Sequence, residues 1–258
     1  LVENLFFPVV VRVFCPYTNH TMAILEGLNE RQKEAVLTTE GALLIIAGAG
    51  SGKTKTITHR IAHLISNNVP PEKILAVTFT NKAAGEMRER ITALLEQEKI
   101  RVRAEEMPFI GTFHSLGVYI LRRHGHLLGI SKYFSILDEE DTRQVIRGLI
   151  QDFELDPDSY PPQRIRNAIS GFKNELISSG AFARDADGSP YQQKLAAPYA
   201  AYEAHLHKIR GLDFDDLLLK TVIVLQDHPE AREYWQNRWT YLHIDEYQDT
   251  NKAQYILS

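Results

Sequence analysis

The feature that most limits the fold of this chain is a glycine-rich stretch, AGAGSGKT, from Ala47 to Thr54. An apolar run precedes it and is predicted to form a buried strand from Ala42 to Ile46. A helix is predicted from about Gly52, because apolar residues recur on one of its faces, namely Ile57, Ile61, Leu64 and Ile65. A glycine-rich turn between a buried strand and a helix is typical of α/β proteins.

Strand and helix patterns continue to alternate after this turn. The run ILAVTF predicts a second buried strand from Ile74 to Phe79, and FIGT predicts a short third strand from Phe109 to Thr112. Thr80 is expected to cap the helix between them, whose inward face comprises Ala84, Met87, Ile91 and Leu95. This alternation predicts a parallel sheet in an α/β fold.

The hydrophobic periodicity of the sequence changes after the third predicted strand. From about Phe113 to Trp239 the periodicity is almost entirely helical, and TYLHI, Thr240 to Ile244, then returns to a buried strand. One helical stripe comprises Leu217, Leu218, Thr221, Val222 and Leu225. The simplest architecture is a sheet domain interrupted by a mostly helical inserted domain, with the sheet domain over 22–112, the insertion over 113–212 and the return over 213–258.

The glycine-rich stretch has the composition of a phosphate-binding loop. Backbone N–H groups of such a loop and the positive end of the following helix cradle phosphates. Lys53 is expected to reach the β- and γ-phosphates of ATP, and Thr54 to bind Mg²⁺. Ala47 stands where the strict pattern has glycine, and the bland alternative is a glycine-rich turn with a chance Lys-Thr. The predicted nucleotide-binding residues are Ala47, Gly48, Ala49, Gly50, Ser51, Gly52, Lys53 and Thr54.

Two adjacent carboxylates follow the last predicted strand. Asp245 and Glu246 lie at the strand end where ligands gather in open α/β sheets. Asp245 is expected to bind Mg²⁺ with Thr54, and Glu246 to act as the general base that activates water. An isolated Asp-Glu pair is more often a solvated helix cap, but the phosphate-binding loop favours the catalytic interpretation.

Seven motifs in order resemble the UvrD/Rep-type superfamily 1 DNA helicases. The resemblance covers about Gly27 to Ser258. Its pieces are LNERQKEAV, AGAGSGKTKT, VTFTNKAAGEMRERI, GTFHSLGVYILRRHG, FSILDEED, LDFDDLL and HIDEYQDTNKAQY. The resemblance implies a RecA-like P-loop NTPase domain that uses ATP and Mg²⁺. Its implied activity is movement on single-stranded DNA, in the 3′ to 5′ direction, with unwinding of the duplex.

The resemblance also implies roles for individual residues. Gln32 corresponds to the adenine-reading glutamine, and Lys55 stands where the family often has an arginine, which makes planar contacts that lysine cannot. Gln248 corresponds to the residue that links nucleotide state to the DNA site, and it joins Lys53, Asp245 and Glu246 as a catalytic residue. The implied DNA-binding residues are Thr78, Phe79, Thr80, Asn81, Lys82, Thr112, Phe113 and His114.

The side-chain types in the implied DNA segments suit contacts that do not read sequence. Aromatic rings stack on bases, while hydroxyl, amide and ammonium groups hold phosphates. For Phe79 and Phe113, packing in the core remains the alternative interpretation.

The family's core has two RecA-like lobes, and the second supplies arginines to the γ-phosphate. The chain is therefore expected to be the first lobe of a longer helicase, with the second lobe and single-stranded DNA or single–double-strand junctions as partners. By itself it is expected to bind nucleotide with little hydrolysis and no unwinding. The alternatives are a truncated, non-catalytic module that binds DNA or protein, and an unrelated P-loop enzyme such as a nucleotide kinase.

Composition adds few constraints. The 258 residues carry a net charge of −4, which does not indicate nucleic acid binding. A local stripe of basic residues would nevertheless be enough to bind nucleic acid. Cys15 is the only cysteine, so no internal disulfide is possible and a cytoplasmic location is expected. The apolar run from Leu5 to Phe14 is too short to span a bilayer, and no membrane partner is expected. Residues 1–21 are expected to be a non-native extension before Met22, with an N-terminal edge strand as the alternative.

A cluster of three aspartates and a pair of histidines are candidate metal ligands. Asp213, Asp215 and Asp216 are more simply explained as the cap and first turn of a helix. His205 and His207 are two residues apart and lie on different helix faces, so a zinc site is not expected.

Overall fold

The computed structural model describes residues 23–48, 50–184 and 190–258, so the expected extension over 1–21 and Met22 lie outside the described residues. The fold is mixed α/β. The strands are β1 (Ile74–Thr78), β2 (Phe109–Thr112), β3 (Ser135–Ile136), β4 (Gly211–Leu212) and β5 (Tyr241–Ile244). The helices are α1 (Glu30–Leu37), α2 (Lys53–Ser66), α3 (Asn81–Gln97), α4 (Phe113–His124), α5 (Glu139–Asp152), α6 (Pro162–Asn174), α7 (Ser179–Arg184), α8 (Pro190–Lys208), α9 (Phe214–Asp227), α10 (Pro229–Arg238) and α11 (Lys252–Ile256).

The described residues divide into two compact units. The sheet unit comprises 23–113 and 233–249, apart from residue 49, and the helical unit comprises 114–232 and 250–257, apart from 185–189. The sheet unit contains the strands β2-β1-β5 in that order, all parallel. The prediction of a parallel α/β sheet is thus confirmed.

The core of the sheet unit forms where the sequence periodicity places it. All five residues of β1 are buried, as expected for a central strand covered on both faces. The inward faces predicted for α2 and α3 are both buried in this core. Thr80 caps α3, because its side chain accepts a hydrogen bond from the N–H of Ala83 at 3.1 Å.

The strand predicted from Ala42 to Ile46 is wrong. Residues 42–48 form neither helix nor strand, and the side chains of Leu44 and Ile46 are 68% and 88% exposed. An apolar run becomes a strand only where a neighbouring strand accepts its backbone hydrogen bonds. In the described sheet β5 pairs with β1, and the run from Ala42 is not part of the ladder.

The helical unit has its own core. Buried residues from α5, α6, α7 and α8 form one apolar cluster, and the predicted stripe of α9 is buried as well. The short parallel pair β3–β4 also lies in this unit, joining Ser135 to Gly211 and Ile136 to Leu212. The helical periodicity did not predict it, since two-residue strands are too short to show an alternating pattern.

A buried cluster of charges joins three helices of this unit. The Nζ atom of Lys173, whose side chain is fully buried, lies 2.6 Å from Glu203, 2.7 Å from Asp213 and 2.9 Å from Asp216. Lys220 adds a second ammonium group 2.7 Å from Glu203. The cluster thus ties α6 and α8 to the start of α9.

The acidic group at the start of α9 is a helix cap, as predicted. Asp213 accepts a hydrogen bond from the N–H of Asp216 at 2.8 Å, and the two residues form a capping box. Within the residues that the structure describes, no group of three or more His, Cys, Asp or Glu side chains is placed to hold a metal ion.

The buried cluster makes the stability of the protein depend on pH. Burial raises the pKa of Asp216 to about 7, and the nearby carboxyl groups of Asp213 and Glu203 act in the same direction. The two ammonium groups of the cluster oppose this rise but are shared among three carboxyl groups. The folded state therefore binds more protons than the unfolded state between the ordinary pKa of aspartate, near 4, and pH 7. We expect Asp216 to make the free energy of unfolding fall as pH rises through this window, by up to about 1.4 kcal/mol per pH unit.

Urea unfolding of the wild type and of Asp216→Asn across this pH range measures the effect. Buried histidines such as His63 and His243, whose pKa values burial lowers, add the opposite slope in both proteins. The difference between the two proteins isolates Asp216. A difference that stays constant with pH would contradict the raised pKa of Asp216.

Candidate nucleotide-binding site

The carboxyl ends of the three parallel strands meet at one edge of the sheet. Thr78 ends β1 in register with Thr112 at the end of β2. The N–H of Asp245, the residue after β5, donates to the carbonyl of Val77 at 3.0 Å. This edge is the position at which open α/β sheets bind ligands.

The glycine-rich loop leads into α2 as the sequence suggests. Gly50 and Gly52 have φ values of +73° and +86°, in the left-handed region that favours glycine. The Nζ atom of Lys53 donates to the carbonyls of Ala47 and Gly48 at 3.1 and 3.3 Å, so its ammonium group lies over the loop. Ala49 lies outside the described residues.

The loop and the last strand meet through one hydrogen bond. The hydroxyl of Thr54 donates to Oδ2 of Asp245 at 2.7 Å, across 191 residues of sequence. Asp245 is buried just after the end of β5. Thr54 lies in the first turn of α2. A hydroxyl and a carboxylate this close fit Mg²⁺, which usually binds one or two carboxylates together with substrate phosphates and water.

Glu246 diverges from its neighbour at the strand end. Its backbone has φ of +53°, which is uncommon for a residue other than glycine, and its side chain is exposed. The amide of Gln248 donates to Oε2 of Glu246 at 2.6 Å and to Asp249 at 3.2 Å. Buried Asp245 and exposed Glu246 therefore present two carboxylates in different environments, and Gln248 holds the second.

His243 lies behind this pair, two residues earlier on β5. Its side chain is buried, and burial lowers its pKa to about 3. It is therefore uncharged at neutral pH and adds no positive charge beside Asp245.

Gln32 lies against the glycine-rich loop. Its Nε2 donates to the carbonyl of Ser51 at 3.0 Å, and its Oε1 accepts from the N–H of Asn29 in a capping box at the start of α1. A Cβ atom at Gly52 would come within 2.8 Å of the Gln32 amide, so glycine permits this approach. An amide has two donors and two acceptor sites, so Gln32 keeps one of each for a base.

Lys55 turns towards the segment before α1. Its Nζ donates to the carbonyl of Gly27 at 2.8 Å. The structure therefore places Lys55 as a support for the segment that leads into α1.

Two further residues of α2 contact the backbone in and around α1, and they were not identified from the sequence. The guanidinium of Arg60 donates to the carbonyls of Ala35 and Thr39 at 2.8 and 3.3 Å. The ring of His59 contacts the carbonyl of Ile24. The available signal was the placement of these polar residues among the apolar positions of THRIAHLI.

The first implied DNA segment surrounds the start of α3. Thr78 is buried and its hydroxyl donates to the carbonyl of Thr80 at 3.0 Å, while Phe79 is half-buried. Thr80, Asn81 and Lys82 are exposed. The exposed part of the segment is therefore polar, with one aromatic ring beside it.

The second implied segment is mostly interior. Thr112 is buried, and Phe113 is 2% exposed with its ring 5.9 Å from that of Phe79, edge to face. This placement agrees with the core-packing alternative for Phe113. His114 is half-buried, and burial lowers its pKa, so the imidazole is neutral near pH 7.

A parallel α/β sheet with a glycine-rich loop before a helix and an acidic pair at its carboxyl edge is typical of the P-loop class of proteins. The family model of the UvrD/REP helicase N-terminal domain matches residues 28–258. The chain belongs to this family, as the seven motifs indicated.

Curated relatives support the same assignment. The chain is 47% identical to the ATP-dependent DNA helicase PcrA of Leuconostoc citreum and of Bacillus subtilis, over 235 residues in each case. It is 44% identical over 236 residues to the enzyme of the same name from Staphylococcus aureus. These matches cover 91% of the chain and 31% of each relative, so the chain spans about a third of their length.

A helix that spans a membrane needs about 20 mainly apolar residues. No helix in the described part of the chain meets this requirement of length and apolarity.

Proposed function

We propose that this chain is the nucleotide-binding lobe of an ATP-dependent DNA helicase that moves 3′ to 5′ on single-stranded DNA. In this proposal the sheet unit is a RecA-like domain and the helical unit is its insertion. The observation that carries the proposal is the 2.7 Å hydrogen bond between Thr54 and Asp245, which joins the loop to the acidic strand end.

Each residue of the site has a role in this proposal. The loop N–H groups and Lys53 hold the phosphates of ATP, and Gln32 contacts the adenine. Thr54 and Asp245 hold Mg²⁺, which neutralises phosphate charge when bound. Glu246 takes the proton of the attacking water, and its exposed carboxylate suits that role. Gln248 orients Glu246 through the 2.6 Å hydrogen bond.

The DNA part of the proposal depends mainly on the start of α3. Thr80, Asn81 and Lys82 are exposed there and suit phosphate contacts, with Phe79 available to a base. Phe113 is expected to support Phe79 from the interior. Single-stranded DNA and its junctions with duplex are the proposed substrates.

A second RecA-like lobe completes the proposed enzyme by supplying arginines to the γ-phosphate. Such arginines contribute about 10³- to 10⁵-fold to the rate in related nucleotide hydrolases. We therefore expect the 258-residue chain by itself to bind Mg²⁺–ATP but to hydrolyse it slowly and to leave duplex DNA intact.

Replacing Lys53 by alanine tests the proposal. We expect Lys53→Ala to weaken binding of a fluorescent Mg²⁺–ATP analogue about 10- to 100-fold, because hydrogen bonds to charged groups contribute about 1.5–3 kcal/mol each. ATP turnover with and without single-stranded DNA is measured on the same proteins. Lys132→Ala, which removes an exposed lysine of the helical unit, is the matched control and should bind as the wild type does.

The outcomes separate the levels of the proposal. A wild-type chain without affinity for Mg²⁺–ATP would contradict the nucleotide site. Fast, DNA-stimulated turnover that is lost in Lys53→Ala would mean that a second copy of the chain supplies the arginine. Strand separation by the chain alone would contradict the need for a second lobe.

A further inference from the structure

The chain passes between the two units at places next to the proposed nucleotide and DNA residues. It leaves the sheet unit after Phe113, so His114 is the first residue of the helical unit there. It leaves again after Asp249, three residues beyond Glu246, and Asn251 then lies in the helical unit. Contacts inside the helical unit between these two places would link the acidic pair to the implied DNA segment.

A series of side-chain hydrogen bonds starts at Asn251. This residue caps α11, since its Oδ1 accepts from the N–H of Gln254 at 2.9 Å. Its Nδ2 is therefore free for another partner and donates to Oδ1 of Asn174 at 2.5 Å. Asn251 thus performs two tasks with opposite ends of one amide.

Asn174 continues this series of hydrogen bonds to α9. Its Nδ2 donates to Oδ1 of Asp215 at 2.8 Å and to the carbonyl of Ser170 at 2.8 Å. The direction of the amide is set, because its oxygen faces a donor on Asn251 and its nitrogen faces two acceptors. Asn174 is the last residue of α6, whose position is held by the neighbouring buried Lys173.

The start of α9 connects this series of hydrogen bonds to His114. The ring of His114 packs edge-on against Phe214, the residue before Asp215, with centroids 5.6 Å apart. Asp215 and His114 are both half-buried, where electrostatic and hydrogen-bonding interactions are stronger than at the open surface.

We propose that Asn251, Asn174 and Asp215 form a positioning relay that couples nucleotide binding at the acidic pair to the position of His114, the half-buried end of the second implied DNA segment. The relay residues touch neither ligand. They fix Asn251 relative to His114 inside the helical unit, so a displacement of one alters the other. This inference rests on the proposed function, because it assumes both ligands.

The test measures the coupling directly on the 258-residue chain. The affinity for a fluorescent oligothymidylate is determined with and without Mg²⁺ and a non-hydrolysable ATP analogue. We expect the analogue to change the wild-type affinity by about fivefold or more, in the range typical of coupled sites. Since linkage is reciprocal, the oligothymidylate must change the analogue affinity by the same factor.

Asn174→Asp breaks the relay without changing its shape. The new carboxylate faces that of Asp215, and the donor between them is lost. We expect the coupling factor to fall below about twofold while each ligand alone binds as before. Asn167→Asp makes the same chemical change at an exposed position of the same helix and is the matched control.

A second pair of variants separates positioning from folding. In Asn174→Asp with Asp215→Asn, the donor and acceptor are exchanged, so the hydrogen bond can form again and the coupling should return. Asn251→Ser keeps a capping oxygen for α11 but removes the donor to Asn174, so it should lose coupling with little loss of stability. A purely structural role would change thermal stability and leave the coupling factor intact.

The results that overturn the relay are distinct from those that overturn the proposed function. Full coupling in both Asn174→Asp and Asn251→Ser overturns the relay. So does a wild-type chain that binds the analogue but whose oligothymidylate affinity does not respond to it. Failure of the wild type to bind the analogue at all instead overturns the nucleotide site itself.

Discussion

Replacing Lys173 by methionine is expected to lower the free energy of unfolding by about 3–5 kcal/mol. Lys173 is fully buried and contacts Glu203, Asp213 and Asp216 within 2.9 Å. Methionine fills a similar volume but removes the ammonium group nearest to Asp213, and it leaves Lys220 as the remaining ammonium group beside Glu203 and Asp216. An uncompensated buried charge costs far more than the lost attraction of an exposed pair.

Urea denaturation followed by far-UV circular dichroism measures this loss. Lys132→Met, at an exposed lysine of the same unit, should change stability by less than about 0.5 kcal/mol. Asp216→Asn added to Lys173→Met should cost less than the sum of the single changes, because both act on one network. A loss below about 1 kcal/mol in Lys173→Met would contradict a charge cluster that stabilises the helical unit.

Replacing Gly117 by alanine is expected to destabilise the helical unit by about 2–3 kcal/mol, at the upper end of the usual cost of overpacking. Gly117 lies in α4 where that helix crosses α9 closely. A Cβ atom at this position would be 2.3 Å from the carbonyl oxygen of Leu217 and 3.3 Å from the hydroxyl of Thr221. The nearest atom belongs to the backbone, so the two helices have to move apart.

Gly148→Ala is the matched control for this change. Gly148 is an exposed residue inside α5, and a Cβ atom there meets nothing within 4 Å. Alanine should therefore raise stability by about 0.5–1 kcal/mol, because glycine loses more backbone freedom in a helix. Thermal unfolding of the two variants compares them. Equal shifts would mean that the close approach of α4 to α9 is absent in solution.

Local patterns predicted many elements correctly. The spacing of Ala84, Met87, Ile91 and Leu95 identified the buried face of α3, and Thr80 identified its start. The cap predicted at Asp213 was also correct. Each of these features depends on residues within one or two helical turns, which the sequence lists side by side.

Features that depend on distant partners could not be predicted in the same way. The run from Ala42 to Ile46 has the apolar composition of a buried strand, yet its placement depends on a neighbouring strand. Lys173 lies in an ordinary amphipathic helix, and nothing near it in sequence shows that it meets three carboxylates. The supporting contacts of Arg60 with Ala35 and Thr39 belong to the same class.

The sequence by itself determined the family, the alternation of strands and helices, and the side chains proposed for ATP chemistry. These follow from motif order and short-range periodicity, which need no coordinates. Only the tertiary structure decided that Thr54 and Asp245 meet at 2.7 Å, that Phe113 packs inside, and that Asn251 contacts Asn174. The physical reason is that such contacts depend on how whole elements pack, and packing is set by all the residues of a core together.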